Sequence, residues 1–148
     1  HAVLLVQAQA VVEQARLRYA YLDVVYARDA TFKSDVVEAA IRASLGLAGD
    51  DSSTRIGLFG LRARKLGERE YAGRIEGRVQ AVAGVLWCRV AALGRFSAGA
   101  SDPAALVLPA APRQRRAVLP CAARELLQLA PLHLTLTAAA EPAAGECP

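Results

Sequence analysis

The stretch RIEGRVQAVAGVLWCRV, residues 74–90, changes its apolar period partway along, and that change decides the fold. Between Glu68 and Ala83, Tyr71, Ile75, Val79 and Val82 recur at i, i+4, i+8 and i+11, which is one face of a helix. Arg69, Glu70, Arg74, Glu76, Arg78 and Gln80 fill the remaining faces. Gly84 ends the helix. From Val85 to Leu93 the pattern alternates, with Leu86, Cys88 and Val90 on one side and Val85, Trp87 and Arg89 on the other, the period of a strand. Gly73 and Gly77 stand four apart, a spacing that lets a helix lie close against a neighbour. The apolar 20-mer required for a membrane dimer motif is absent. Cys88, inside the apolar run, reads as a small buried hydrophobe.

Upstream, RLRYAYLDVVYARD (16–29) is rich in aromatic and β-branched residues and predicts a strand, with Leu22, Val24 and Tyr26 on one face and Tyr21, Asp23 and Val25 on the other. KSDVVEAAIRASLG (33–46) predicts a helix. Ser34 or Asp35 can cap it, Val37, Ala40, Ile41, Ser44 and Leu45 form its apolar stripe, and Gly46 is its stop. Residues 1–17 have roughly helical spacing, although their β-branched content also allows a strand. Residues 47–67 read as a long connection, soft around 49–54.

Downstream, residues 94–120 hold four prolines and read as an extended arm. Residues 121–131 read as a short helical or turn element. LHLTLTAA (132–139) alternates, with Leu132, Leu134 and Leu136 inward and His133, Thr135 and Thr137 outward. The tail, 139–148, has the composition of a disordered segment. The sum is an α+β domain in two layers: a small, largely antiparallel three-stranded sheet with two amphipathic helices on one face.

The chain has 148 residues, a net charge of +4 and a mean hydropathy of +0.25. That length suits one domain with a real core. No apolar run approaches the roughly 20 residues of a membrane span, so no membrane insertion is expected. The sequence starts at His1 and contains no methionine, which reads as a piece of a longer chain. Cys88, Cys121 and Cys147 lie far apart and lack metal-ligand spacing, so no metal or disulfide framework is expected. No glycine pattern forms a phosphate-binding loop, and His133 has no nucleophile or acid at recognisable spacing. No catalytic residue, cofactor or enzymatic activity is predicted. The two arginine clusters, RARK (62–65) with Arg62 and Arg64, and RQRR (113–116) with Arg113, Arg115 and Arg116, are the candidate partner contacts. Phosphate is a possible target, which makes a basic nucleic-acid-binding domain the alternative function. No RNP-like aromatic pattern accompanies the clusters, so acidic protein surfaces are preferred.

The order of segments resembles the C-terminal domain of baseplate J-like proteins, the wedge components of contractile phage tails and injection systems. The resemblance rests on Leu66–Gly67, Ile75, Val79, Val82, Gly84–Val85 and Glu125–Leu126–Leu127 with the closing strand, across residues 18–138. The 47–67 connection departs from the family pattern. The resemblance implies a structural role without catalytic residues. Its partners would be copies of itself and neighbouring baseplate proteins (wedge, hub or spike, sheath), first in the bacterial cytoplasm and then in the finished particle. Gly73, Gly77, Gly84, Trp87 and Cys88 would be structural, and the 94–120 arm would extend to a neighbouring subunit.

Overall fold

The computed structural model describes residues 15–48, 56–97 and 102–140. In chain order the elements are β1 (Arg16–Arg28), α1 (Ser34–Ser44), β2 (Glu70–Tyr71), α2 (Ala72–Gln80), β3 (Val85–Arg95), a 3-10 turn (Pro103–Ala105), β4 (Val118–Leu119) and β5 (Glu125–Ala138). The fold is α+β. Its main sheet has the order β3-β1-β5, and β2 with β4 forms a separate two-stranded ribbon.

β1 is the central strand. Ala20, Leu22, Val24 and Tyr26 alternate into the main core, where Val37 and Ile41 of α1, Leu45, and Ile75 and Val79 of α2 meet them. Both helices therefore lie on one face of the sheet. The Tyr26 hydroxyl donates to Glu38 at 2.9 Å, tying α1 to β1. Burial and this carboxylate push the phenol up to about 12. α1 begins after Lys33 without a side-chain cap, so neither Ser34 nor Asp35 serves as one. Its C-terminus is closed by Leu58 and Phe59, whose N–H groups donate to Ser44 O and Leu45 O.

The sheet is mixed, where a largely antiparallel one was expected. β3 runs antiparallel to β1, and β5 runs parallel to it. β5 also starts earlier than expected: Glu125–Leu129 form strand, pairing with Arg16–Ala20, where 121–131 read as helix or turn. The β1 ladder overrides the modest helix preference of that leucine-rich run. Midway along β5, Ala130, Pro131, Leu132 and His133 stand opposite Tyr21 alone. This irregularity accommodates Pro131 on an edge strand and leaves Leu132, expected inside, 52% exposed. Beyond it Leu134 and Leu136 pack on the main core as expected, and His133 on the opposite face is fully buried.

β3 is adjusted in a similar way. Register shifts opposite Asp23/Val24 and Ala27/Arg28 interrupt its alternation. Val85 and Val90 face inward, and Leu86, which strict alternation puts on the same side as Val90, is exposed. Such bulges re-aim side chains without breaking the strand. α2 is shorter than the helix expected over 68–83, because Glu70 and Tyr71 are drawn into the ribbon with Leu119 and Val118. The expectations for 49–54 and for most of 1–17 and 139–148 fall outside the described residues. Arg16 and Leu17, which the readings of 1–17 and of the strand 16–29 share, belong to β1, as the strand reading has them.

Candidate functional site

The second face of the sheet carries Tyr21, Asp23, Phe96 and His133, and the proline-containing arm lies across part of it. Asp102 Oδ1 accepts the Ala104 N–H at 3.0 Å and starts the 3-10 turn. Leu106 then packs with Tyr21 and Phe96 in a small second cluster. His133 Nε2 lies 3.3 Å from Leu106 O, and its ring stacks tilted on Phe96 at 4.6 Å. Farther along, Leu93 exchanges backbone hydrogen bonds with Gln114 and Arg116. The arm thus folds back onto its own domain, where an extension toward a neighbouring subunit was expected.

That placement removes most of the predicted arginines from the list of contact groups. Arg113 pairs with Asp23 at 2.9 Å. Arg115 pairs with Glu76 at 2.9 Å and donates from Nε to Val90 O at 2.8 Å, fastening the arm to α2 and β3. Only Arg116 of that cluster is an exposed side chain without an internal partner among the described residues. Arg64 is wholly buried. It pairs with buried Glu70 at 2.5 Å, donates to the carbonyls of Leu58, Glu68 and Arg69, and lies over the Phe59 ring. It organises the 58–70 connection and offers nothing to a partner. Arg62 is exposed and engaged in an interaction of its own.

The structural residues also separate. Gly73 and Gly77 are exposed, and a Cβ on either would meet nothing within 4 Å, so the close-packing reading of this pair is wrong. Gly84 has φ +93°, and a Cβ there would lie 2.8 Å from Phe32 Cγ and Val37 Cγ2, so this turn does require glycine. Cys88 is partly buried against the main core, its Sγ donating to Glu76 O at 3.3 Å. Trp87 points away from that core and is 46% exposed. Burial, reinforced by Glu76 and Glu125 respectively, raises the Cys88 and Cys121 thiols above their ordinary range. Neither thiol is set up as a nucleophile. Among the described residues no group of three or more His, Cys, Asp and Glu side chains could hold a metal ion, and no helix is long and apolar enough to cross a membrane.

One constellation escaped the sequence. Arg18 of β1 and Arg95 of β3 converge on Glu125, the first residue of β5, and Arg16 of β1 and Arg124 line the pocket beside it. Glu125 Oε2 takes Arg18 Nε at 2.5 Å, and Oε1 takes Arg95 Nη1 at 2.9 Å and the Ala122 N–H at 3.0 Å. The Ala122 N–H first, then the two guanidiniums, holds the carboxyl below the ordinary glutamate range. These residues lie up to 109 positions apart in the chain (16 to 125), so no local spacing could have announced the cluster. The signal that existed was an arginine at each of two strand starts and one strand end. Comparison with family models, curated proteins and solved structures finds no match for the chain.

Proposed function

We propose that the chain is a non-enzymatic assembly module of the baseplate J-like kind, joining copies of itself and neighbouring baseplate proteins around the spike and tube of a contractile phage tail or injection system. In this proposal it assembles in the bacterial cytoplasm and leaves it within the finished particle. The observation that carries the reading is the outer side of β5. Among the described residues no strand pairs with it, and beside it Leu132 is 52% exposed. An unpaired strand edge with an apolar side chain invites a partner segment to extend the sheet. The exposed pair Leu86 and Trp87 on β3 offers a second apolar contact at the opposite margin. The order of segments that resembles the family adds to this reading.

The test is co-expression of the full-length protein with the products of the genes beside its own, followed by particle purification and electron microscopy. Leu132→Lys is expected to lower incorporation at least several-fold while the circular dichroism spectrum is unchanged. Undiminished incorporation of both Leu132→Lys and Trp87→Ala overturns the edge reading. Tight, steeply salt-dependent binding of the wild-type chain to RNA or DNA, with no particle association, would favour the basic nucleic-acid-binding alternative.

A further inference from the structure

We infer that the arginine cluster around Glu125 is an anion-recognition site for side-chain carboxylates of an acidic segment on a partner protein. The inference rests on the assembly reading only for the source of that acid. Two guanidiniums, those of Arg18 and Arg95, hold the Glu125 carboxylate, and Arg16 and Arg124 line the adjoining pocket, so these four arginines and one glutamate keep an excess of three positive charges.

Glu125 does more than neutralise. It is buried, both of its oxygens are engaged, and it fixes Arg18 and Arg95 in place before any ligand arrives. Arg18 uses Nε and Arg95 uses Nη1 on Glu125, which leaves other N–H donors of each guanidinium for a ligand. Guanidiniums held in advance lose less side-chain entropy on binding than free ones. Beside them lies an open pocket of about 480 Å3, lined by Arg16, Ala122, Ala123, Arg124 and Glu125. Arg16 and Arg124 are neighbours through the hydrogen bond from Arg16 N–H to Arg124 O at 2.9 Å, and neither has an acidic partner among the described residues. Two half-buried, positioned cations are thus joined through Glu125 to a pocket that two exposed arginines line.

The chemistry favours carboxylates over a phosphodiester chain. The cluster is confined to one end of the sheet and does not form a track. Among the described residues no aromatic side chain lines the pocket to stack a base. Glu125 itself demonstrates the fit, since it is a carboxylate received by two of the four guanidiniums.

The experiment measures fluorescence anisotropy of a labelled octaglutamate peptide with the full chain, beside a labelled single-stranded oligonucleotide of equal charge. The Arg16→Ala/Arg124→Ala double variant should weaken peptide binding about tenfold, the scale of losing two charge-assisted contacts. Arg69→Ala/Arg89→Ala removes the same charge elsewhere and should change it less than twofold. Equal losses in both double variants, or no binding by the wild type, overturn the site. Tighter binding of the oligonucleotide, abolished by Arg16→Ala/Arg124→Ala, overturns the carboxylate assignment. Because the peptide assay needs no particle, a chain that binds the peptide but never enters particles counts against the assembly reading and not against the site.

Discussion

Replacing Arg64 with alanine should come close to unfolding the domain, although the residue sits in a basic run that reads as surface. Both Arg64 and Glu70 side chains are fully buried, 2.5 Å apart. Truncation strips the donor from three carbonyls, those of Leu58, Glu68 and Arg69. It leaves the Glu70 carboxylate with the Tyr71 N–H at 3.0 Å and the more distant Arg74 Nε at 3.8 Å. Breaking a buried pair from one side costs about 3–5 kcal/mol, against a total stability of about 5–15 kcal/mol for a domain of this kind. With a urea slope of about 2 kcal/mol/M, the midpoint should fall by roughly 2 M. Arg64→Met/Glu70→Met removes both charges together and should recover much of that loss, because no uncompensated charge remains. The assay is urea denaturation followed by far-ultraviolet circular dichroism. An Arg64→Ala loss below about 1 kcal/mol, or a double variant no better than Arg64→Ala, would refute the reasoning.

The remaining expectations address glycines, an acid and the thiols. Gly73→Ala and Gly77→Ala should each raise stability by about 0.5–1 kcal/mol in thermal melts, since an exposed helical glycine gains from alanine; destabilisation would restore close packing at that face. Gly84→Ala should cost about 2–4 kcal/mol, combining positive φ with a clash against Phe32 and Val37, and a neutral result would mean the turn can relax. Glu125 has a carboxyl pKa depressed in the folded state, so its contribution is fully present above the ordinary value of 4.5 and is lost as pH falls through the folded value. The urea-midpoint gap between wild type and Glu125→Gln should therefore shrink from pH 6 toward pH 3; a constant gap contradicts the assignment. In a Cys147→Ser background, Cys88 and Cys121 should alkylate far more slowly at pH 7 than in urea, as raised thiols do. Equal rates in both conditions would show that neither is protected.

Local periodicity made the first half of the chain legible. The alternation of Leu22, Val24 and Tyr26 and the stripe of Val37, Ile41 and Leu45 survive because each lies within one regular element. The same logic failed at Leu86 and Leu132. There, register shifts against β1 decide which side chain turns inward, and they depend on a partner strand that periodicity does not include. His133 does lie on the face opposite the main core, as alternation predicts, yet that face is not wet there, because the arm seals it beneath Leu106. Arg64 and Arg113 were misjudged because a guanidinium's burial depends on acids that only the fold brings near, Glu70 and Asp23. The Glu125 cluster was invisible on the same ground. Parallel pairing of the first and last strands joins its members, and nothing in the local sequence around Arg16 or Glu125 specifies that pairing.

The place of β1 in the sheet has a consequence for biosynthesis. A ribosome that has released the chain through Arg95 has supplied β1, both helices and β3, enough for one side of β1 and the residues α1 and α2 pack against it. The other side of β1 waits for β5, which ends at Ala138, and the ion pair joining Arg18 to Glu125 closes a separation of 107 residues. Until then the nascent domain presents an unpaired central strand to its surroundings, a state prone to pairing with the wrong chain. Slow translation between residues 95 and 138 should lengthen that exposure, so soluble yield should depend on codon usage in this interval more than in the segment before β3.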